Sequence, residues 1–224
     1  MKSIMLGTMV ALFSISTLAT DYNVDLENSR IGWLGSKKIG GQHTGEIKLK
    51  TATVKFAGGH FSGGEFTVDM ASISNNDLTD ATYNAKLVGH LKSVDFFEVE
   101  KFPTSSFKIT HAGMGKGGDN YDVTGELTIK SLTHKVSFHA QKIETDAKIT
   151  FTAPVVFDRT KWDVKYNSGK FFDIKALGDN VINDEIKLEI TLVINKTESS
   201  GPAVEKKDLT KKKKKKAKKA KKAE

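Results

Sequence analysis

Cysteine is absent from the 224 residues. That excludes disulfide cross-links, a thiol nucleophile and every cysteine-ligated metal centre. Proline is scarce, at three residues, and none interrupts the clearest strand patterns. A large excess of one charge is also missing from most of the chain. Residues 205–224 hold 12 lysines and three acids, so the other 204 residues carry 23 basic and 24 acidic side chains, a net of −1. The formal charge of +8 therefore belongs to a tail, and the remainder has no electrostatic footprint for specific nucleic-acid binding. No apolar run reaches the roughly 20 residues of a membrane-spanning helix. The apolar-rich stretch Ile4–Leu18 follows an early lysine, and Thr17 and Ala19 supply the small residues of a cleavage pattern. It reads as a signal peptide over 1–19, cleaved after Ala19, which predicts a periplasmic or secreted protein. With no cysteine at that junction, a lipid-modified N-terminus is excluded.

What is present is alternation. At 38% hydrophobic residues, the chain can bury a real core. "IKLEITLVI" puts Ile186, Leu188, Ile190, Leu192 and Ile194 on one face. "YDVTGELTI" does the same with Tyr121, Val123, Leu127 and Ile129, "FTVDM" with Phe66, Val68 and Met70, and "VSFHA" with Val136, Phe138 and Ala140. A period of two with one apolar face means half-buried antiparallel strands. Weaker runs lie near 22–27, 30–35, 43–57, 105–111 and 147–157, and glycine-rich turns at 40–41, 58–59, 63–64 and 115–120 separate them. Roughly eight to ten strands with almost no helix between them predict a sandwich or an up-and-down barrel.

One connection has another period. From Thr82 to Val99 the apolar residues Leu87, Leu91, Val94 and Phe97 recur at spacings of four, three and three, a helical stripe ended by Pro103. Phenylalanines crowd its end, in "HLKSVDFFEVEKFPTSSF" over 90–107, and they either plug the core or border a binding site. At the C-terminus, 197–210 reads as a polar linker and 211–224 as a disordered lysine-rich tail. The tail has no large apolar residue, so it cannot form a surface-inserting helix.

Catalytic patterns are missing. His134 and His139 fall on opposite faces of one strand, and His43, His60, His90 and His111 show no ligand-like spacing, so no metal site is assigned. There is no Gly-x-Ser-x-Gly elbow, and the glycine pairs flank strands rather than open helices, which argues against a phosphate loop. No catalytic residue, cofactor or enzyme activity is assigned. Periodicity does not tell a packed barrel lumen from one that holds a ligand.

The quoted stretch resembles the signature of the YceI-like family, in which a helix with "HL-S-DFF-VEK-P---F" precedes a strand. "YNVDLENSRIGWLG", "GGEFTVDMASI", "DVTGELTIKSLTHKVSF", "FDRTKWDVKYNSG" and "DEIKLEITLVI" follow the family's order, whereas "KKIGGQHTG" and the lysine tail depart from it. The resemblance implies an all-β domain over 20–196, an extended eight-stranded antiparallel lipocalin-like barrel with one short helical segment. It further implies a non-enzymatic exported protein whose tunnel holds a polyisoprenoid, quinone precursor or fatty-acyl chain. Expected tunnel-lining residues are Trp33, Phe66, Val68, Leu87, Leu91, Phe96, Phe97, Phe107, Val136, Phe138 and Phe151, each with ordinary core packing as the other reading. Arg159, Lys161 and Lys165 are the expected head-group contacts, against the reading that they are solvent-exposed charge. An electrostatic contact of the tail with an anionic membrane surface, and a homodimer, are further expectations. The alternative is a polyanion- or surface-binding module that acts through the tail, with the barrel as scaffold.

Overall fold

The computed structural model describes residues 19–196. The expected signal sequence up to Thr17 and Leu18, the linker and the lysine-rich tail lie outside those residues. The chain forms β1 (Ala19–Asn23), β2 (Arg30–Ser36), β3 (Gln42–Ala57), β4 (His60–Asp69), α1 (Ala81–Lys92), β5 (Thr104–Met114), β6 (Asn120–Ile129), β7 (Leu132–Glu144), β8 (Lys148–Asp158), α2 (Ile174–Leu177) and β9 (Glu185–Asn195). The strands form one antiparallel sheet in the order β1-β3-β2-β9-β8-β7-β6-β5-β4, and a β3–β4 pairing closes it into a barrel. Closure removes the sheet edges that would otherwise invite aggregation.

Nine strands fill eight positions in the wall. β2 pairs with the upper half of β3 (Ile31 opposite Ile47, Ser36 opposite Gln42), and β1 pairs with its lower half (Ala19 opposite Ala57, Asn23 opposite Thr53). Both lie on the side of β3 away from β4, so they act as one strand broken by the turn at 24–29. Asp25 shapes that turn by accepting the Asn28 N–H and the Asn195 side-chain amide.

The alternation slips where β3 is longest. A register shift between Leu49 and Thr51 leaves Lys50 as an extra residue, so the inward positions change from His43, Ile47 and Leu49 to Ala52, Val54 and Phe56. A second shift between Ile109 and His111 bends β5. These bulges explain why the runs at 43–57 and 105–111 alternate weakly in sequence.

The two ends of the barrel differ. The lower end holds the turns at 58–59, 115–119 and 145–147, and aromatic side chains fill it. Phe61 packs on Phe151 with ring centres 4.7 Å apart, on Tyr121 at 5.5 Å and on Phe56 at 6.0 Å, while Tyr22 from β1 packs edge-on to Phe56 at 5.4 Å. Lys196 ends the described chain there, with Nζ 2.8 Å from Glu144. The upper end carries the β2–β3 hairpin, α1 and the long β8–β9 connection. α1 and that connection form a roof.

The expected helix over 82–99 is corrected to Ala81–Lys92. Ser93 stops it, taking up an extended backbone while its N–H and Oγ both donate to the His90 carbonyl. Val94 therefore leaves the helical stripe and is 73% exposed, whereas Phe96 is buried from the turn that follows.

The wall also has a gap. β7 and β8 are bonded only between Gln141–Glu144 and Ile149–Thr152, so their upper halves diverge. Trp162, 1% exposed, fills the separation, and its Nε1 donates to the Leu127 carbonyl at 3.0 Å.

Candidate functional site

Above the aromatic floor the barrel encloses a cavity of about 390 Å³. Its wall is almost wholly apolar. From the strands it receives Trp33, Phe66, Val68, Phe107, Val136, Phe138 and Phe151, and from the roof Leu87, Leu91, Phe96 and Phe97. All eleven expected tunnel positions thus face one space. Leu188, Ile190 and Leu192, readable from the β9 alternation, face it as well, together with Leu49, Leu127 and Val155.

Two glycines make room for the lining aromatics. A Cβ on Gly45 would lie 1.8 Å from the Ser74 carbonyl oxygen and 2.6 Å from the Trp33 ring. With hydrogen there instead, Trp33 lies flat across β3 and its Nε1 donates to that same carbonyl at 3.1 Å. Gly125 serves Phe107 in the same way, because its Cβ would come within 2.4 Å of that ring.

The polar side chains that reach the cavity gather at the roofed end. They are Ser36 at the end of β2 and Lys37 after it, His43 on β3, His90 on α1, Ser105 at the start of β5, and Arg159 and Tyr166 in the β8–β9 connection. Ser105 is buried and faces the cavity. His43 Nδ1 is 2.8 Å from Asp77, which also accepts the Thr44 N–H at 2.7 Å. Burial alone would raise the Asp77 carboxyl, but donors from Thr44, His43 and Asn75 outweigh it and lower the pKa to about 2. An ionised carboxylate only accepts, so the His43 proton resides on Nδ1 and Nε2 is left for another partner. His90 is fixed differently. Its Nε2 bonds Asp95 at 3.0 Å, and its ring stands edge-on to Phe96 and Tyr166 at 4.9 and 4.7 Å.

The roof is tied to this cluster through asparagines. Asp80 caps α1 by accepting the Thr82 and Tyr83 N–H groups. Asn84 on α1 then donates to the Asn75 carbonyl at 3.0 Å, and Asn75 donates to the Thr44 carbonyl at 2.9 Å. His43 and α1 are therefore held by one chain of hydrogen bonds.

The three expected head-group cations are placed elsewhere or already engaged. Arg159 is 2% exposed; its Nε, Nη1 and Nη2 donate to the carbonyls of Asn183, Val164 and Ile182 at 3.0, 2.7 and 3.2 Å. It borders the cavity while knitting the β8–β9 connection together. Lys161 borders the separate hollow between β7 and β8, outside the cavity. Lys165 pairs with Asp163 at 2.6 Å and lies over the Phe171 ring at 4.9 Å. The polar groups that do reach the cavity went unread because His43, His90 and Tyr166 come from three separate segments with no common spacing. Among the described residues, no group of three or more histidine or acidic side chains is placed to hold a metal ion.

Residues 22–194 match the model of the YceI-like domain. Protein YceI of Escherichia coli O157:H7 is 32% identical over 154 residues, 64% of this chain and 74% of that protein. Protein YceI of Salmonella arizonae is 32% identical over 152 residues, 63% of this chain and 73% of that protein. Among solved structures, BcnA of Burkholderia cenocepacia has a TM-score of 0.60 at 26% identity, covering 76% of this chain and 98% of BcnA. A polyisoprenoid-binding domain from Saccharophagus degradans, implicated in plant cell wall breakdown, has a TM-score of 0.55 at 14% identity, covering 78% and 97%. At that identity the second likeness concerns the fold.

Proposed function

This chain belongs to the YceI-like domain family, and from that premise we propose that it is an exported carrier that sequesters one long-chain apolar lipid in the barrel. The ligand class is an isoprenoid alcohol, phosphate or quinone precursor, or a fatty-acyl chain. The observation that carries the proposal is the segregation within the cavity: apolar wall below, polar side chains at the roofed end. An amphiphile entering chain first would bury its tail against Phe66, Phe107, Phe138 and Phe151. Its polar end would stay beside His43, Ser105 and Tyr166.

Chain length follows from magnitudes. Each methylene removed from water contributes about 0.8 kcal/mol. A chain of about ten such groups gains roughly 8 kcal/mol, within the range of the 4–15 kcal/mol that association costs, while a four-carbon chain does not. Few polar contacts are then needed for affinity, and the roofed end would select the head group. The export role rests on the signal pattern over 1–19. The 12 lysines of 205–224 would add attraction to anionic lipid, each worth about 1 kcal/mol near the surface.

The test is extraction of the purified protein with organic solvent and mass spectrometry of the extract. A stoichiometric long-chain species is the expected result and would name the ligand. The paired variant is Ala153→Phe, which adds a ring inside the cavity at a buried lining position. It should keep the fold, hold melting temperature level or raise it, and lose the co-purified lipid. An empty wild-type extract, with no uptake of added polyprenyl or fatty-acyl chains, would reject the proposal.

A further inference from the structure

The exposed apolar side chains are unevenly distributed. Among the described residues, eleven large hydrophobic side chains are exposed, and six of them lie on the segments around the roof: Ile39, Tyr83, Val94, Phe171, Phe172 and Ile174. Phe171 and Phe172 are adjacent, and each is 50% exposed. A barrel that needed these rings for its own core would bury them, and here the floor aromatics already do that work.

Four of the six lie on two neighbouring segments, the β2–β3 hairpin and the β8–β9 connection. Lys37 bridges to Ile182 and the Lys38 N–H donates to the Val181 carbonyl at 2.8 Å, so the hairpin carrying Ile39 lies along the β8–β9 connection. Within that connection, a Cβ on Gly169 would lie 3.1 Å from Ile174 and 3.5 Å from Val181, so the chain folds tightly back beside the two phenylalanines. The same segments supply Lys37, Gly41, Val164, Tyr166 and Ile182 to the cavity wall. The segments that carry the patch therefore also border the cavity.

Its charges favour a lipid surface over an acidic or basic protein face. Among the described residues Lys38 and Lys175 form no salt bridge, while Lys165, paired with Asp163, lies over the Phe171 ring at 4.9 Å. Asp173 is taken up by capping α2, and Lys170 is paired with Asp158 and Asp184. Aromatic and branched side chains flanked by lysines, with no strong net field, suit the boundary between head groups and acyl chains.

We propose that this roofed end docks on phospholipid membranes through Ile39, Phe171, Phe172 and Ile174, so that an apolar ligand passes between bilayer and cavity without crossing water. The proposal builds on the lipid-carrier reading and adds where the lipid enters. Lys196 lies at the opposite end of the barrel, beside Glu144, so none of the docking residues adjoins it.

The test uses the full chain and vesicles of pure phosphatidylcholine in about 0.5 M salt, where attraction by the lysine-rich tail is screened. Flotation reads docking, and stopped-flow fluorescence reads transfer of dansyl-farnesol from vesicle to protein. The combined variant Phe171→Ser, Phe172→Ser, Ile174→Ser should lose flotation and transfer the probe at least about tenfold more slowly, since its apolar anchor is gone. Its equilibrium affinity for probe dissolved without vesicles should equal that of the wild type. Independently, Phe172→Trp should show a blue shift of its added emission on mixing with vesicles. Equal flotation and transfer for wild type and variant would overturn the proposal, as would a wild type that never floats. A variant that changes only the sedimentation mass would also overturn it, in favour of contact between copies of the chain. Wild type that floats yet takes up no probe from solution would support docking and reject the carrier reading.

Discussion

Gly45 shows how much one missing methyl group can decide. Its Cβ would meet a backbone carbonyl at 1.8 Å, and a backbone atom yields far less readily than a flexible side chain. Gly45→Ala should therefore carry an overpacking cost of about 1–3 kcal/mol and lower the melting temperature by roughly 5 °C. Gly41→Ala, where nothing lies within 4 Å, should leave it unchanged. Asp77 decides a pH dependence. Its carboxyl is lowered from 3.8 to about 2 in the folded protein, so the stability it supplies is fully present above pH 4 and is lost as pH falls through 2. The contribution is at most about 2 kcal/mol, reduced by solvent screening because the side chain is 31% exposed. Asp77→Asn should melt lower than wild type at pH 6 and lose less than wild type between pH 5 and pH 2, as followed by thermal denaturation. At this scale the sequence was partly readable. Alternation put the strand aromatics on an inward face, because inward parity is a local property, while the family resemblance made them tunnel candidates. The roof polar groups were not identified, since nothing local brings His43 beside Asp77. Arg159 illustrates the opposite difficulty: a cation in a recognisable motif that donates to three backbone carbonyls and pairs with Asp184 at 3.8 Å.

Among the elements of seven or more residues, α1 stands apart because it has no buried residue. It is attached mainly through Leu87 and Leu91 over the cavity and through Asn84. Asp80→Ala removes its cap at a cost of about 1 kcal/mol, concentrated in the first turn. Amide exchange over 82–92 should quicken, while β6 and β7 keep their protection and the melting temperature moves little. Uniform loss of protection would show that α1 is part of the cooperative core. The helix was visible in the sequence as a stripe, but its end was not. Spacing alone carried the stripe through Val94, whereas the two hydrogen bonds that Ser93 makes to the His90 carbonyl stop the helix first. Strand existence was legible for a related reason: alternation survives in β6, β7 and β9. Where Lys50 bulges out of β3, the alternation changes phase, and the run looks weaker than the strand it encodes.

For the whole molecule, eightfold closure was expected from family resemblance and is realised by nine strands, because β1 and β2 share one position. The open seam between β7 and β8 was not legible, since two strands that alternate perfectly can still part company. Trp162 fills that seam. Trp162→Ala should cost about 3–5 kcal/mol, as large buried aromatic truncations do. Trp162→Phe, which keeps most of the bulk but loses the bond to the Leu127 carbonyl, should cost nearer 1 kcal/mol. Equal losses in denaturant melts would mean that the hydrogen bond, not the filling, holds the seam.

The chain enters the barrel at Ala19, opposite Ala57, and leaves it at Lys196, beside Glu144. Both points lie at the aromatic floor. A bead, sensor chip or fusion partner joined directly at Thr20 or Lys196 would therefore sit behind the barrel, with the mouth facing outward. Immobilised copies would point the same way and stay open to whatever approaches from the front.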